Sequence, residues 1–242
     1  QTIMPLCLTS FAGGSKDNAI PRSCQANAVA MGINLERING IAEALQAEIR
    51  ETFDEPEATV QAFDLDALGG NALPTELTAK VIGLLCSVPN GVQAMSADMP
   101  GLVQTSLNMG IAKLGNAMKM TFSVRSSVDQ EKQDLLSKLQ ELAKFYDGSY
   151  SQMGEYPAWE YKADSKLRSV MVDTYTRMYN KAPEVLAIHA GLECGLLGKK
   201  IPDLDCVSIG PQMYDIHTSR EKLSIASTER TWEFLLEILK AL

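Results

Sequence analysis

A mixed α/β protein is what this sequence predicts: a two-layer α+β region over residues 1–148, then a partial α/β segment over residues 149–242. Three observations carry the prediction. The order strand, glycine turn, strand, helix occurs twice, over residues 2–53 and again over 102–147, a pseudo-repeat of architecture without repeated identities. Periodicity then stops around 147–161, where Gly148, Gly154, Pro157 and Trp159 gather, as at a domain boundary. Beyond that point short apolar runs alternate with helical ones, a pattern that favours parallel or mixed strand pairing with helices on the faces.

The elements follow in order. Residues 2–10 are apolar and β-leaning, and after Gly13-Gly14 a second β-type run covers 23–30. Ile38, Ile41, Leu45 and Ile49 recur at helical spacing within 35–53, so that stripe is expected to lie on the sheet. Residues 57–65 alternate Ala58, Val60 and Ala62 against Thr59, Gln61 and Phe63, which predicts another strand. Pro74 opens a helix carrying Leu77, Val81, Leu84 and Val88. After the Pro89-Asn90-Gly91 turn, runs over 102–114 and 118–126 form a hairpin through Gly115-Asn116. A helix over 129–146 follows, with its stripe on Leu135, Leu139, Leu142 and Tyr146. In the second region we expect a helix over 165–180, a strand over 185–189, a short glycine-bounded helix to residue 197 and a strand over 205–209. A loop holding His217 and a final helix from Thr228, with Trp232, Leu235, Leu236 and Leu239, complete the chain.

With 45% hydrophobic and 21% charged residues the chain can bury a real core. Its net charge of −8 argues against nucleic acid or an anionic membrane as partner, because neutralising phosphates needs clustered Lys and Arg. A small molecule or a protein is the favoured partner. Five cysteines without a C-x-x-C pair point to a reducing cytoplasm and to neither a disulfide framework nor a zinc knuckle. No run is long and apolar enough to span a bilayer, and the start lacks a signal-peptide pattern. Gln1 leading straight into an apolar run is how a fragment or processed chain begins.

Chemistry concentrates in the last quarter, which holds both histidines, in H-A-G-L-E-C-G at 189–195 and I-H-T-S-R-E at 216–221. One imidazole with a few carboxylates does not complete a hydrolytic metal centre, which draws on several protein ligands and a base, so the chain reads as part of an active site. His217, between Asp215 and Glu221, suits a metal ligand whose ring a carboxylate orients, or else is a loop histidine with no role. Gly191 allows a close backbone approach and Glu193 opens a turn at a helix N-terminus, against the alternative of an ordinary strand-to-helix turn. Arg125, the charged residue at the exit of the strand F-S-V-R-S-S, suits bidentate capture of a carboxylate such as the free C-terminus of a small peptide, or else pairs with a surface acid. Asn18, at the exit of the turn G-G-S-K-D-N, can donate to a substrate oxygen or make a local hydrogen bond. Cys194 as a nucleophile with His189 or His217 as its base is a weaker third option.

Taken together, G-G-x-x-x-N-A-I-P-R, S-L-N-M-G with F-S-V-R, E-Y-P-A-W, I-H-A-G-L-E-C-G-L-L and S-I-G-P with H-T-S-R-E-K resemble the bacterial aminoacyl-histidine dipeptidases, the bacterial carnosinases of the dinuclear-zinc exopeptidase family. The resemblance implies a cytosolic exopeptidase in which two zinc ions, or other divalent ions, activate a water molecule against the amide of an Xaa-His dipeptide, with a glutamate as base. In that family a lid domain is inserted into the catalytic α/β domain. Residues 1–148 resemble the lid without its first strand and helix, and 149–242 resemble the returning C-terminal catalytic segment. His217 then looks like a metal ligand, Arg125 like the group binding the substrate carboxylate, and Asn18 like a polar contact from the other lid half, while Gly191 and Glu193 resemble the substrate-facing turn. No catalytic residue is assigned within this chain: the remaining ligands and the base belong, in the family, to an N-terminal catalytic half, so the chain alone is expected to be inactive.

Where relatives tend to have Gly-Pro-His-Ser, this chain has Asp215-Ile216-His217-Thr218, which loosens the expected loop. A sheet lacking its first strand and helix predicts an exposed edge and self-association, and a homodimer stays open. The competing reading is a non-catalytic lid-type assembly or small-ligand-binding module that has lost the metal half.

Overall fold

A computed structural model describes residues 6–30, 32, 34–65, 71–187, 193–216 and 218–242. The chain divides into two compact units that interleave along the sequence: Gln1–Pro89 with Asn108–Ser123 and Lys144–Gly148, and Asn90–Leu107 with Val124–Ala143 and Ser149–Leu242. Helix and strand are mixed and the pairing is antiparallel, in line with the predicted α/β class. No helix among the described residues is long and apolar enough to cross a membrane.

In the first unit, β1 (Leu6–Gly13) pairs antiparallel with β2 (Cys24–Ala30), from Leu6 opposite Ala30 to Gly13 opposite Cys24, with a register shift between Leu8 and Ser10. The same end of β1 pairs with the outer part of β4 (Val103–Leu114), Gly13 opposite Ala112. Helix α1 (Leu35–Phe53) starts where the Asn34 side chain accepts the N–H groups of Glu36 and Arg37 at 2.8 and 3.3 Å. Its buried residue is Ala42, while Ile41 and Leu45 are exposed. Of the expected stripe Ile38 and Ile49 are partly buried, whereas Ala42 takes the inner position expected of Ile41 and Leu45.

Helix α2 (Thr75–Ser87) presents Thr78 and Val81 inward. At the irregularity in β1 the Leu8 N–H donates to the Thr78 hydroxyl at 3.1 Å and the Leu8 carbonyl accepts the Leu73 N–H at 2.7 Å, so backbone groups that the strand ladder leaves open are satisfied by the helix and its lead-in. The strand expected over 57–65 is not formed. Its backbone groups go to α1 side chains instead: Arg50 Nε donates to the Ala58 carbonyl at 2.8 Å, and the Val60 N–H donates to Gln46 Oε1 at 3.0 Å. Alternation alone cannot distinguish a ladder from a segment that side chains hold.

In the second unit, β3 (Gly91–Met95), which periodicity did not reveal, pairs with the inner part of β4, Gly91 opposite Leu107 and Met95 opposite Val103. β4 and β5 (Met118–Ser126) form the expected hairpin. Leu107, 1% exposed, is the most buried large side chain described. Helix α3 (Asp129–Phe145) buries Leu135 and Leu139 of its expected stripe. Further on, α4 (Lys166–Tyr179) and α6 (Ile225–Ala241) share a core of Met171, Phe234 and Ile238, with Leu167, Tyr175, Met178 and Val207 against it. Trp232 and Leu239, expected as the apolar side of the last helix, are each 60% exposed. Phe234 and Ile238, spaced by four, take the inner positions.

Between these helices lie α5 (Glu193–Lys200) and a short hairpin, β6 (Met213–Tyr214) with β7 (Lys222–Leu223). The strands expected over 185–189 and 205–209 are not formed where described, at 185–187 and 205–209, and no parallel pair exists among the described residues. A strand is a ladder, and among the described residues neither segment has a neighbour to share one with.

Candidate functional site

The β1–β2 loop carrying Asn18 is built on close backbone packing. Gly14 has φ +73°, and a Cβ there would lie 1.9 Å from the Gly110 carbonyl oxygen; one on Gly110 would lie 2.3 Å from the carbonyl oxygens of Lys16 and Asp17. Asn108 of β4 fastens the loop, its side-chain amide donating to the carbonyls of Asp17 at 3.0 Å and Ala19 at 2.9 Å. Asn18 itself is exposed, and its N–H is taken by Asp17 Oδ1 at 2.9 Å. The local Asx bond is thus made by Asp17, and among the described residues the Asn18 side chain has no partner, leaving it available to a ligand. Asn108 sits in the S-L-N-M-G motif of a strand that also carries Gln104, Thr105, Ser106 and Lys113, so no pattern in the sequence singles out its role.

Arg125, next to last in β5, is half-buried. Among the described residues no carboxylate pairs with its guanidinium and no hydrogen bond engages it, so the rim ion pair that would have explained it away is not present there. The strand end is held rigidly. Ser126 Oγ meets Thr105 Oγ1 at 2.7 Å and accepts the Val128 N–H at 3.0 Å; Thr105 also donates to Glu131, whose other oxygen takes the Gln104 amide at 2.6 Å.

Glu193 is exposed and is the first residue of α5. Gly195, within the same first turn, is buried, and a Cβ on it would lie 2.8 Å from the Pro157 carbonyl oxygen. Gly191, His189 and His217 lie outside the described residues. Among the neighbouring described residues, β6 pairs with β7, and the Asp215 carbonyl accepts the Thr218 N–H at 3.2 Å and its hydroxyl at 2.7 Å. Asp215 sits at φ +51°, a left-handed position that aspartate tolerates better than most residues.

Within the second unit a cleft of about 780 Å³ is lined by Tyr161, Arg168, Leu186, Cys194, Cys206 and Val207 among others. Its size suits a small ligand. None of Asn18, Arg125 and Glu193 lines it, and its walls include the two segments that lack ladder partners. Burial pushes the Cys206 thiol up, with Cys194 beside it adding to the effect, which disfavours the thiolate. Asp205, by contrast, is held below the usual carboxylate range by the Ser165 hydroxyl at 2.6 Å, against a smaller opposing effect of burial, and by the Leu167 N–H at 3.0 Å. Burial pushes Asp129 up, but the Ala158 N–H and the Lys132 ammonium outweigh it, and its pKa also falls below the ordinary value. Among the described residues no three His, Cys, Asp or Glu side chains converge, so these residues by themselves do not fit a metal centre.

No family model matches the chain. The cytosol non-specific dipeptidase of Escherichia coli strain K12 is 34% identical over 240 residues, which is 98% of this chain and 49% of the relative. The crystal structure of aminoacylhistidine dipeptidase from Vibrio alginolyticus superposes with a TM-score of 0.89 at 30% identity, again over 98% of this chain and 49% of the other. The resemblance read from the motifs therefore holds in sequence and in fold, and the chain spans about half the length of the relatives it matches.

Proposed function

We propose that this chain is the C-terminal, substrate-holding part of a metal-dependent dipeptidase of the cytoplasm, acting on Xaa-His and related dipeptides, and that most metal ligands and the general base lie outside it. The observation that carries this reading is the match itself: nearly all of this chain aligns with dipeptidases, at a TM-score of 0.89, yet accounts for 49% of each. One relative is named for broad dipeptide specificity and the other for aminoacylhistidine substrates, so both preferences are candidates here. Residues 1–148 form the lid in this reading and 149–242 the returning catalytic segment.

Arg125 has the clearest part. Its guanidinium, without a partner among the described residues and at a hydrogen-bonded strand end, is suited to a bidentate pair with the free carboxylate of a dipeptide, which makes the enzyme an exopeptidase by demanding a chain end. Asn18 contributes a polar contact to the same substrate, and the turn with Gly191 and Glu193 faces its other side. His217 would supply one ligand to a zinc or other divalent ion. The unpaired segments at 185–187 and 205–209 support the reading too: their β-type sequences suit strands whose neighbours come from the other half.

The test compares a dipeptide with its C-terminal amide in the protein completed by the other half. The intact carboxylate should be favoured by about a hundredfold or more in kcat/KM, as expected when a buried charge partner is left unpaired. Arg125→Ala should erase that preference, and a preference surviving the substitution would remove Arg125 from the site. If the completed protein binds dipeptides without cleaving them, the non-catalytic module is the better reading.

A further inference from the structure

We propose that Asp129 and Lys132, at the start of α3, are positioning residues for the substrate-facing end of α5, acting through the backbone of the Tyr156-Pro157-Ala158 turn. This rests on the dipeptidase reading above for its functional meaning, and on hydrogen bonds and packing within the second unit for its physical content.

Lys132 is a buried cation, 7% exposed, and a buried ammonium is stable only when its donors are matched. Its Nζ donates to Asp129 Oδ1 at 2.9 Å and to the Tyr156 carbonyl at 2.6 Å. Asp129 Oδ1 also accepts the Ala158 N–H at 2.9 Å. One charge pair therefore holds a carbonyl and an amide two residues apart, fixing both ends of a turn that has no regular secondary structure of its own. Pro157, between them, is buried.

The far side of that turn meets α5. Besides the 2.8 Å approach to the Pro157 oxygen, a Cβ on Gly195 would stand 3.1 Å from the Ala158 oxygen. Only a hydrogen fits there, so a shift of the turn is transmitted to the first turn of α5, where Glu193 stands. The near side of α3 is tied to Arg125, because Ser126, Thr105 and Glu131 join the end of β5 to the same helix start. Two residues expected to touch substrate, Arg125 and Glu193, are thus linked through groups that need not touch it. E-Y-P-A-W, otherwise without a role, becomes the link.

The experiment uses Lys132→Met, Lys132→Arg and Gly195→Ala, both in this chain and in the protein completed by the other half. Hydrogen exchange on the chain should show amides at the start of α5 opening about tenfold faster in Lys132→Met, with α6 unchanged and Lys132→Arg close to the parent. In the completed enzyme Lys132→Met and Gly195→Ala should raise KM about tenfold with kcat within about threefold. Unchanged exchange in α5 while residues 156–158 loosen overturns the proposal, and so does an equal loss of protection in α5 and α6, the mark of general destabilisation. Should the completed parent protein fail to cleave dipeptides, the dipeptidase reading fails, while the exchange pattern still decides the relay.

Discussion

The loop over residues 14–23 and the stretch over 183–210 both flank β-type sequence, but only the first has found its ladder. Around the loop, β1 and β2 pair from end to end with one irregularity at Leu8–Ser10, β4 pairs with the end of β1, and Asn108 fastens the crossing. In the second stretch 185–187 and 205–209 have no strand beside them among the described residues, and Leu186 is 72% exposed. The difference teaches that apolar β-type residues specify a strand only where a neighbour supplies the other half of each hydrogen bond. Asp205 shows what anchoring remains without one: two hydrogen bonds from the start of α4 hold its carboxylate.

The largest expected effect breaks the ordered side of this comparison. Gly14→Ala forces a Cβ onto the Gly110 carbonyl at a positive φ and should cost about 3 kcal/mol or more, read as a lower melting temperature. Supplying the other half of a dipeptidase should sharpen the contrast from the opposite side, slowing amide exchange at 185–187 and 205–209 by about a hundredfold while residues 14–23 stay as they are. Asn108→Ala should cost about 1–2 kcal/mol in denaturant unfolding, since two carbonyls lose their donor at an exposed site. Acid gives the smallest and most gradual effect. Asp129 and Asp205 have folded pKa values below their unfolded ones, so their stabilisation is complete above about pH 4 and is lost as the pH falls through the folded values. Asp205→Asn should flatten that acid limb in a pH series of thermal melts.

Much of the fold was legible because local signals agreed. The helical spacing from Ile38 to Ile49, the Gly115-Asn116 dipeptide and the Leu135 and Leu139 stripe marked α1, the hairpin and α3. Besides the two segments that lack a ladder partner among the described residues, the failures come from tertiary competition for backbone groups and faces. Gln46 and Arg50 took the hydrogen bonds of 57–65, Ala42 displaced Ile41 and Leu45 from the inner face of α1, and Phe234 and Ile238 took the interior from Trp232 and Leu239. For the site, the chemical types of Arg125, Asn18 and Glu193 could be read, as could the motifs that carry His217 and Gly191. The supports could not: Asn108, Lys132 and Gly195 act through carbonyl oxygens, and a sequence does not say where carbonyls point.

The most direct measurement of the central claim is the hydrolysis rate of an Xaa-His dipeptide, with divalent ions present, by this chain alone, by the other half of a dipeptidase alone, and by the two together. The account predicts turnover only in the mixture, abolished by a chelator. Turnover by these 242 residues alone, at the rate of the mixture, would contradict it.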